Sequence, residues 1–288
     1  MSYATILAVI DGRGGSENVA QVSLDLGRRF KAAVTWLHVI EDPTDALVSI
    51  ADGMTGAVTE QILEQMEAVE NERAQKARAL YDRLCRDAGI ELAVPDNIPE
   101  AGRFTVAYLA KQGDEAVEVE RQGRLVDLIV AARPGPDGEA ASSQTFHATV
   151  METGRPVLSL PAEGGFDLSR IAVAWDGSRE SAKAVSSALP LLREAEKVEI
   201  VTAREGSKGA QPSQLQGYLA AHGVRAETWA FAPAKGSLGE SILEQCERAR
   251  CGLLVMGAYG HSPIREMFLG GVSRDVMKLA TIPVLVTH

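Results

Sequence analysis

Residues 253–273 read LLVMGAYGHSPIREMFLGGVS, a short apolar run that breaks into Gly257, Gly260, Gly270 and Gly271. Glycine lets a backbone approach a ligand closely or take up a positive φ. Gly270 and Gly271 stand just before a helical pattern, GVSRDVMKLA. A helix N-terminus offers free N–H groups and the positive end of the helix dipole, which suits a phosphate. Such a place can hold an anion with backbone amides alone. The same glycines would also serve ordinary turns, and the residues by themselves leave both readings open. There is no GxxxxGK[ST] and no GxGxxG, so the loop is neither a P-loop nor a dinucleotide fingerprint. His261, Arg265 and Arg274 lie in or beside the loop. The arginines could reach phosphate oxygens, but Glu266 and Asp275 stand beside them as alternative partners. No Ser-His-Asp pattern, paired-carboxylate motif or HExxH is recognisable, so no catalytic residue is assigned. Any nucleotide hydrolysis is expected to be slow, because no positioned base or arginine finger can be named.

The elements that must position this loop come from a chain that repeats itself. TILAVIDG (5–12) matches RIAVAWDG (170–177), DLIVAARPG (127–135) matches GLLVMGAYG (252–260), and TGRPVLSLP (153–161) matches ATIPVLVTH (280–288). Two copies of one unit follow, 1–161 and 168–288, joined by AEGGFDLS. In the second copy the patterns predict strands over 170–175, 198–203, 225–231, 252–257 and 283–287, and helices over 179–195, 212–222, 238–250 and 271–280. Ser237 and Glu240 form a capping box at the third of these helices, and Pro190 should kink the first. The first copy is longer between its second and third strands. There Ile62, Met66, Val69, Ala77, Leu80 and Leu84 fit one long helix packed on its own sheet. Alternating helices and apolar strands argue for two tandem flavodoxin-like domains, each a doubly wound, five-stranded parallel sheet. Ligands in such sheets bind beyond the carboxyl ends of the strands, here between the first and the fourth. Asp176 and Gly257 end those strands and should converge.

The 288 residues carry a formal net charge of −10, which disfavours nucleic acid and anionic lipid as partners. Cys85, Cys246 and Cys251 show no metal or redox spacing and read as buried small hydrophobes. No apolar run is long enough to span a bilayer and no secretory pattern is recognisable, so the expectation is a cytoplasmic protein.

The spacing Gly257-x2-Gly260-x9-Gly270, after a strand ending VMG and before a helix closing on IPVLV, resembles the universal stress protein family. The Asp-Gly after each first strand and LHVI at 37–40 fit as well. The resemblance covers nearly the whole chain, and the glycine spacing is that of the ATP-binding branch. It implies ATP, with or without magnesium, held by the second copy. Asp176 and Ala203 would then face the adenine, and Gly257, Gly260, Gly270, Gly271 and Val272 would give backbone to ribose and phosphates. The family has Ser or Thr directly after the third glycine, where this chain has Gly271; Ser273 is the candidate substitute. One lost hydrogen bond to a charged group costs roughly 1.5–3 kcal/mol, or about one to two powers of ten in affinity.

In the first copy Ala132 and Gly135 stand for the first two glycines, and Ser143-Gln144 for Gly270-Gly271. Pro134 and Pro136 stiffen that loop and remove donors. No nucleotide is expected there in this mode, and Asp11 reads as a corner residue of the Asp-Gly turn. Family domains dimerise through the last strand, so the resemblance implies that RPVLSLP and IPVLVTH pair as an internal pseudo-dimer, with further homodimerisation open. Three functions stand: an adenine-nucleotide-binding stress-response sensor, a nucleotide-independent interaction protein, and a slow nucleotide hydrolase.

Overall fold

The computed structural model describes residues 2–44, 56–87, 90, 92, 101–135, 140–203, 209–232, 236–258 and 271–288. The first half carries strands β1 (Thr5–Val9), β2 (Ala33–Ile40), β3 (Thr105–Gln112), β4 (Leu128–Ala132) and β5 (Val157–Leu160). Its helices are α1 (Ser16–Phe30), α2 (Gly56–Asp87), α3 (Glu115–Gly123) and α4 (Ala140–Glu152). The second half repeats the scheme with β6 (Arg170–Ala174), β7 (Lys197–Ala203), β8 (Ala226–Phe231), β9 (Leu253–Gly257) and β10 (Val284–Thr287). Its helices are α5 (Arg179–Leu192), α6 (Pro212–Ala221), α7 (Leu238–Ala249) and α8 (Gly271–Leu279). Every strand of this half lies within one residue of its predicted bounds. The capping box is formed, with Ser237 N donating to Glu240 Oε2 (2.9 Å) and Glu240 N to Ser237 Oγ (3.1 Å). Pro190 lies in the last turn of α5, which ends at Leu192, three residues short of the expectation.

The strands form a single ten-stranded sheet in the order β3-β2-β1-β4-β5-β10-β9-β6-β7-β8. Neighbours are parallel within each half, and the direction reverses once, at the antiparallel pair β5–β10. The two last strands therefore cover each other's edges, which would otherwise be open templates for aggregation. Val284 faces Ser159, Leu285 faces Leu158 and Val286 faces Val157, all buried.

One face of the sheet is covered by α1, α2, α5 and α6, around Trp36, Leu26, Tyr81, Val185 and Leu219. The other is covered by α3, α4, α7 and α8, around Leu37, Val119, Val150, Ile242 and Val276. Burial on both faces is why the strands read as continuous apolar runs. All three cysteines are free and buried. Burial pushes the Cys85 and Cys251 thiols up to about 11, which leaves them unreactive. Among the described residues no helix is long and apolar enough to cross a membrane.

The long helix differs from its predicted stripe. Ala77 and Leu80 are buried, but Val69 is 55% exposed, and the inward positions a turn earlier are Glu70 and Arg73. A charged pair thus occupies the register where apolar side chains were expected.

Candidate functional site

In each half the chain switches direction between its first and fourth strands, which opens a crevice at their carboxyl ends. In the second half, Trp175 and Asp176 leave β6 on opposite sides, as strand alternation requires. Trp175 is buried and its Nε1 donates to Ala210 O at 2.8 Å. Asp176 is exposed, and its Oδ1 accepts from Ser178 N at 2.9 Å. Gly177 follows at φ +76°, where an added Cβ would stand 2.7 Å from Ala210 N. The Asp-Gly corner is therefore an Asx turn that only glycine can complete.

Gly257 has a packing reason that the sequence did not disclose. A Cβ on it would stand 2.5 Å from Glu180 C and 2.6 Å from Ser181 N, so the first turn of α5 rests on the β9 backbone. Ala203 ends β7 half-buried on the α7–α8 face, where Val272 also packs. Gly271 opens α8, exposed, with nothing among the described residues within 4 Å of an added Cβ, while Ser273 is buried in the same turn. Strand ends and a helix start thus bring Asp176, Ala203, Gly257, Gly271 and Val272 to one end of the sheet. Gly260, Gly270, His261, Arg265 and Glu266 lie outside the described residues, as does Pro136. Arg274 Nε faces Asp275 Oδ1 at 3.7 Å, the alternative partner that the sequence suggested.

The first-half crevice is built differently. Asp11 Oδ1 accepts from Arg13 N (2.9 Å) and Ser16 Oγ (2.8 Å), which makes Asp11 the corner residue expected of it. The residues aligned with Gly270-Gly271, Ser143 and Gln144, lie a turn inside α4, because this helix starts at Ala140. Above the strand ends lies a cavity of about 320 Å³, with Val9, Ala131 and Phe146 among its apolar walls and Asp11, Arg13 and Glu115 among its charged ones. Glu115 opens α3, directly after its N-cap Asp114, and its side chain is 2% exposed. Thr145 Oγ1 donates to Glu115 Oε2 (3.1 Å), Arg13 Nη1 stands 3.6 Å from the same oxygen, and Arg73 Nη2 stands 3.9 Å from Oε1. Burial pushes the Glu115 carboxyl up to about 7; the Asp11 charge adds to this, and Arg13 and Arg73 oppose it.

Arg73 is itself 7% exposed. Its Nε donates to Asp11 O (2.9 Å) and its Nη1 pairs with Glu70. Beneath it His38 is buried, its Nδ1 donating to Ile10 O (2.8 Å), and burial lowers its pKa. Sequence reasoning passed over this cluster. The available signal was Arg73 itself, which continues the Leu84, Leu80, Ala77 spacing where an apolar residue belongs.

Fold and crevices together define a tandem, doubly wound α/β protein with a crevice at the carboxyl ends of the strands in each half. The family model for the universal stress protein family matches residues 2–141 and again 168–288, and the chain belongs to that family. Over 150 residues it is 30% identical to the universal stress protein YxiE of Bacillus subtilis, a match covering 42% of this chain and 99% of that one. Its fold is similar to the crystal structure of a universal stress protein from Archaeoglobus fulgidus, with TM-score 0.64 and 18% identity over 98% of this chain and 95% of that one. It is likewise similar to a functionally unknown protein from Pseudomonas aeruginosa PAO1, with TM-score 0.58 and 12% identity over 99% and 92%.

Proposed function

We propose that the second half binds ATP or a related adenine nucleotide, with or without magnesium, and that the protein acts as a ligand-sensing regulator in the stress response rather than as a high-turnover enzyme. One observation carries this reading: the family's glycine spacing, 257, 260 and 270, ends immediately before the exposed N-terminus of α8. Among the described residues nothing stands within 4 Å of a Cβ added to Gly271, which leaves room for a phosphate at the amide end of that helix. Asp176 and Ala203, at adjacent strand ends, take the adenine side.

Calorimetry with ATP and magnesium tests this on the wild type, Gly260→Val and Gly271→Ser. Gly260→Val should abolish binding in a folded protein. Gly271→Ser meets no steric obstacle among the described residues, restores the hydroxyl typical of the family, and should tighten binding by about one to two powers of ten. No wild-type binding at millimolar ATP would overturn the reading.

A second reading, a nucleotide-independent interaction protein, has its own observation. Gly257 is explained by the contact with α5 alone, so its retention does not require a ligand. A protein that ignores ATP yet keeps its fold and stability would favour it.

A further inference from the structure

The first-half cavity is not a worn copy of a phosphate cradle. Its polar wall includes two carboxyl groups, Asp11 and Glu115, on opposite sides of Arg13. A phosphate placed there would meet both. The other lining cation, Arg133, turns its guanidinium away, donating to Ser159 and to the carbonyl oxygens of Ala280 and Ile282. Around Glu115 the facing charges are Asp11 and Arg13 from the β1–α1 corner, Arg73 and Glu70 from α2, and Glu41 after β2, with His38 beneath them. With Glu115 ionised, the described residues set four carboxylates against two guanidiniums.

Glu115 is also short of partners. Among the described residues its carboxyl accepts one hydrogen bond, from Thr145, and both arginines stand beyond hydrogen-bonding distance. Arg73 Nη2, buried and facing Glu115, has no hydrogen-bond partner among the described residues either. Buried charges are ordinarily satisfied by several bonds. Here the carboxyl borders a cavity that also offers an apolar wall, Val9, Ala131, Ala132 and Phe146, beside the hydroxyl residues Ser142, Thr145 and Thr149.

We propose that this cavity binds a small organic cation, an ammonium group on an apolar body, held by Asp11 and Glu115. The ammonium supplies the donors that Glu115 lacks, and the body fills the space against Phe146. A cation also favours the ionised carboxyl, so binding strengthens as pH rises through the Glu115 titration. A carboxyl titrating near 7 is ionised about tenfold more at pH 8 than at pH 6. The site is separate from the nucleotide crevice of the second half and does not depend on it.

The test titrates the full chain, followed by amide chemical shifts, with benzylamine, benzyl alcohol, benzoate and inorganic phosphate. Benzylamine should bind, perturb the Thr145 and Phe146 amides, and bind about tenfold more tightly at pH 8 than at pH 6. Benzyl alcohol, of the same shape without charge, should be at least about tenfold weaker. Glu115→Gln should lose about tenfold or more at pH 8, and Asp11→Asn, which keeps the acceptor of the corner turn, should weaken binding with the fold intact. The proposal is overturned if benzylamine fails to bind at about 10 mM, or if benzoate or phosphate binds as well as the amine. It is equally overturned if benzyl alcohol matches the amine, or if folded Glu115→Gln binds it unchanged.

Discussion

Glu115 shows how one residue ties this fold to solution conditions. Its carboxyl titrates near 7 in the folded protein and near 4.5 when exposed, so the native state holds its proton more tightly than the unfolded chain. The sign follows: stability from this group is fully present below about pH 4.5 and is lost as pH rises through 7. The shift corresponds to roughly 3 kcal/mol. Urea denaturation of wild type and Glu115→Gln across pH 4–8 should therefore give a difference curve that falls for the wild type by about that amount. Parallel curves would mean that the carboxyl is not held neutral. Asp11 was legible from its Asp-Gly context, because an Asx turn is a local event. Glu115 and Arg73 were not, because 42 residues separate positions that meet only in the folded molecule.

Elements were the most legible scale. Period, caps and strand ends located every strand of the second half, since each signal depends on near neighbours. What the local pattern could not supply was the reason for a glycine. Gly257 looked like a ligand residue and is also a contact between β9 and the start of α5. Gly257→Ala should cost about 1–3 kcal/mol by forcing those backbones apart, measurable by denaturation without any nucleotide. Unchanged stability would refute the contact. The Val69 expectation failed for a related reason. A helix face is chosen by what lies opposite, and opposite this turn lie Asp11 and Glu115 rather than an apolar sheet.

At the scale of the whole molecule, one sheet runs through both halves and side chains bond across the junction. Arg133 leaves β4 and donates to Ser159 Oγ, Ala280 O and Ile282 O, so a buried guanidinium of the first half holds the segment between α8 and β10 of the second. Tyr3 Oη adds a bond to Ser187 O (2.7 Å). Arg133→Ala should cost about 2–4 kcal/mol, because it strands buried carbonyl groups. In the wild type, tryptophan fluorescence and circular dichroism should report one coincident unfolding transition, with Trp36 in one half and Trp175 and Trp229 in the other. An Arg133→Ala protein as stable as the wild type would remove the tether from the account. The sequence by itself determined the tandem repeat, the α/β class, the doubly wound units, the glycine spacing and the pairing of the last strands. Each is written in periodicity and spacing, or in a family pattern carried by them. Only the tertiary structure decided that Gly257 supports a helix, that Arg133 bridges the halves, and that the first crevice is walled by carboxyl groups. Those facts depend on burial and on contacts between distant segments, which no local pattern encodes.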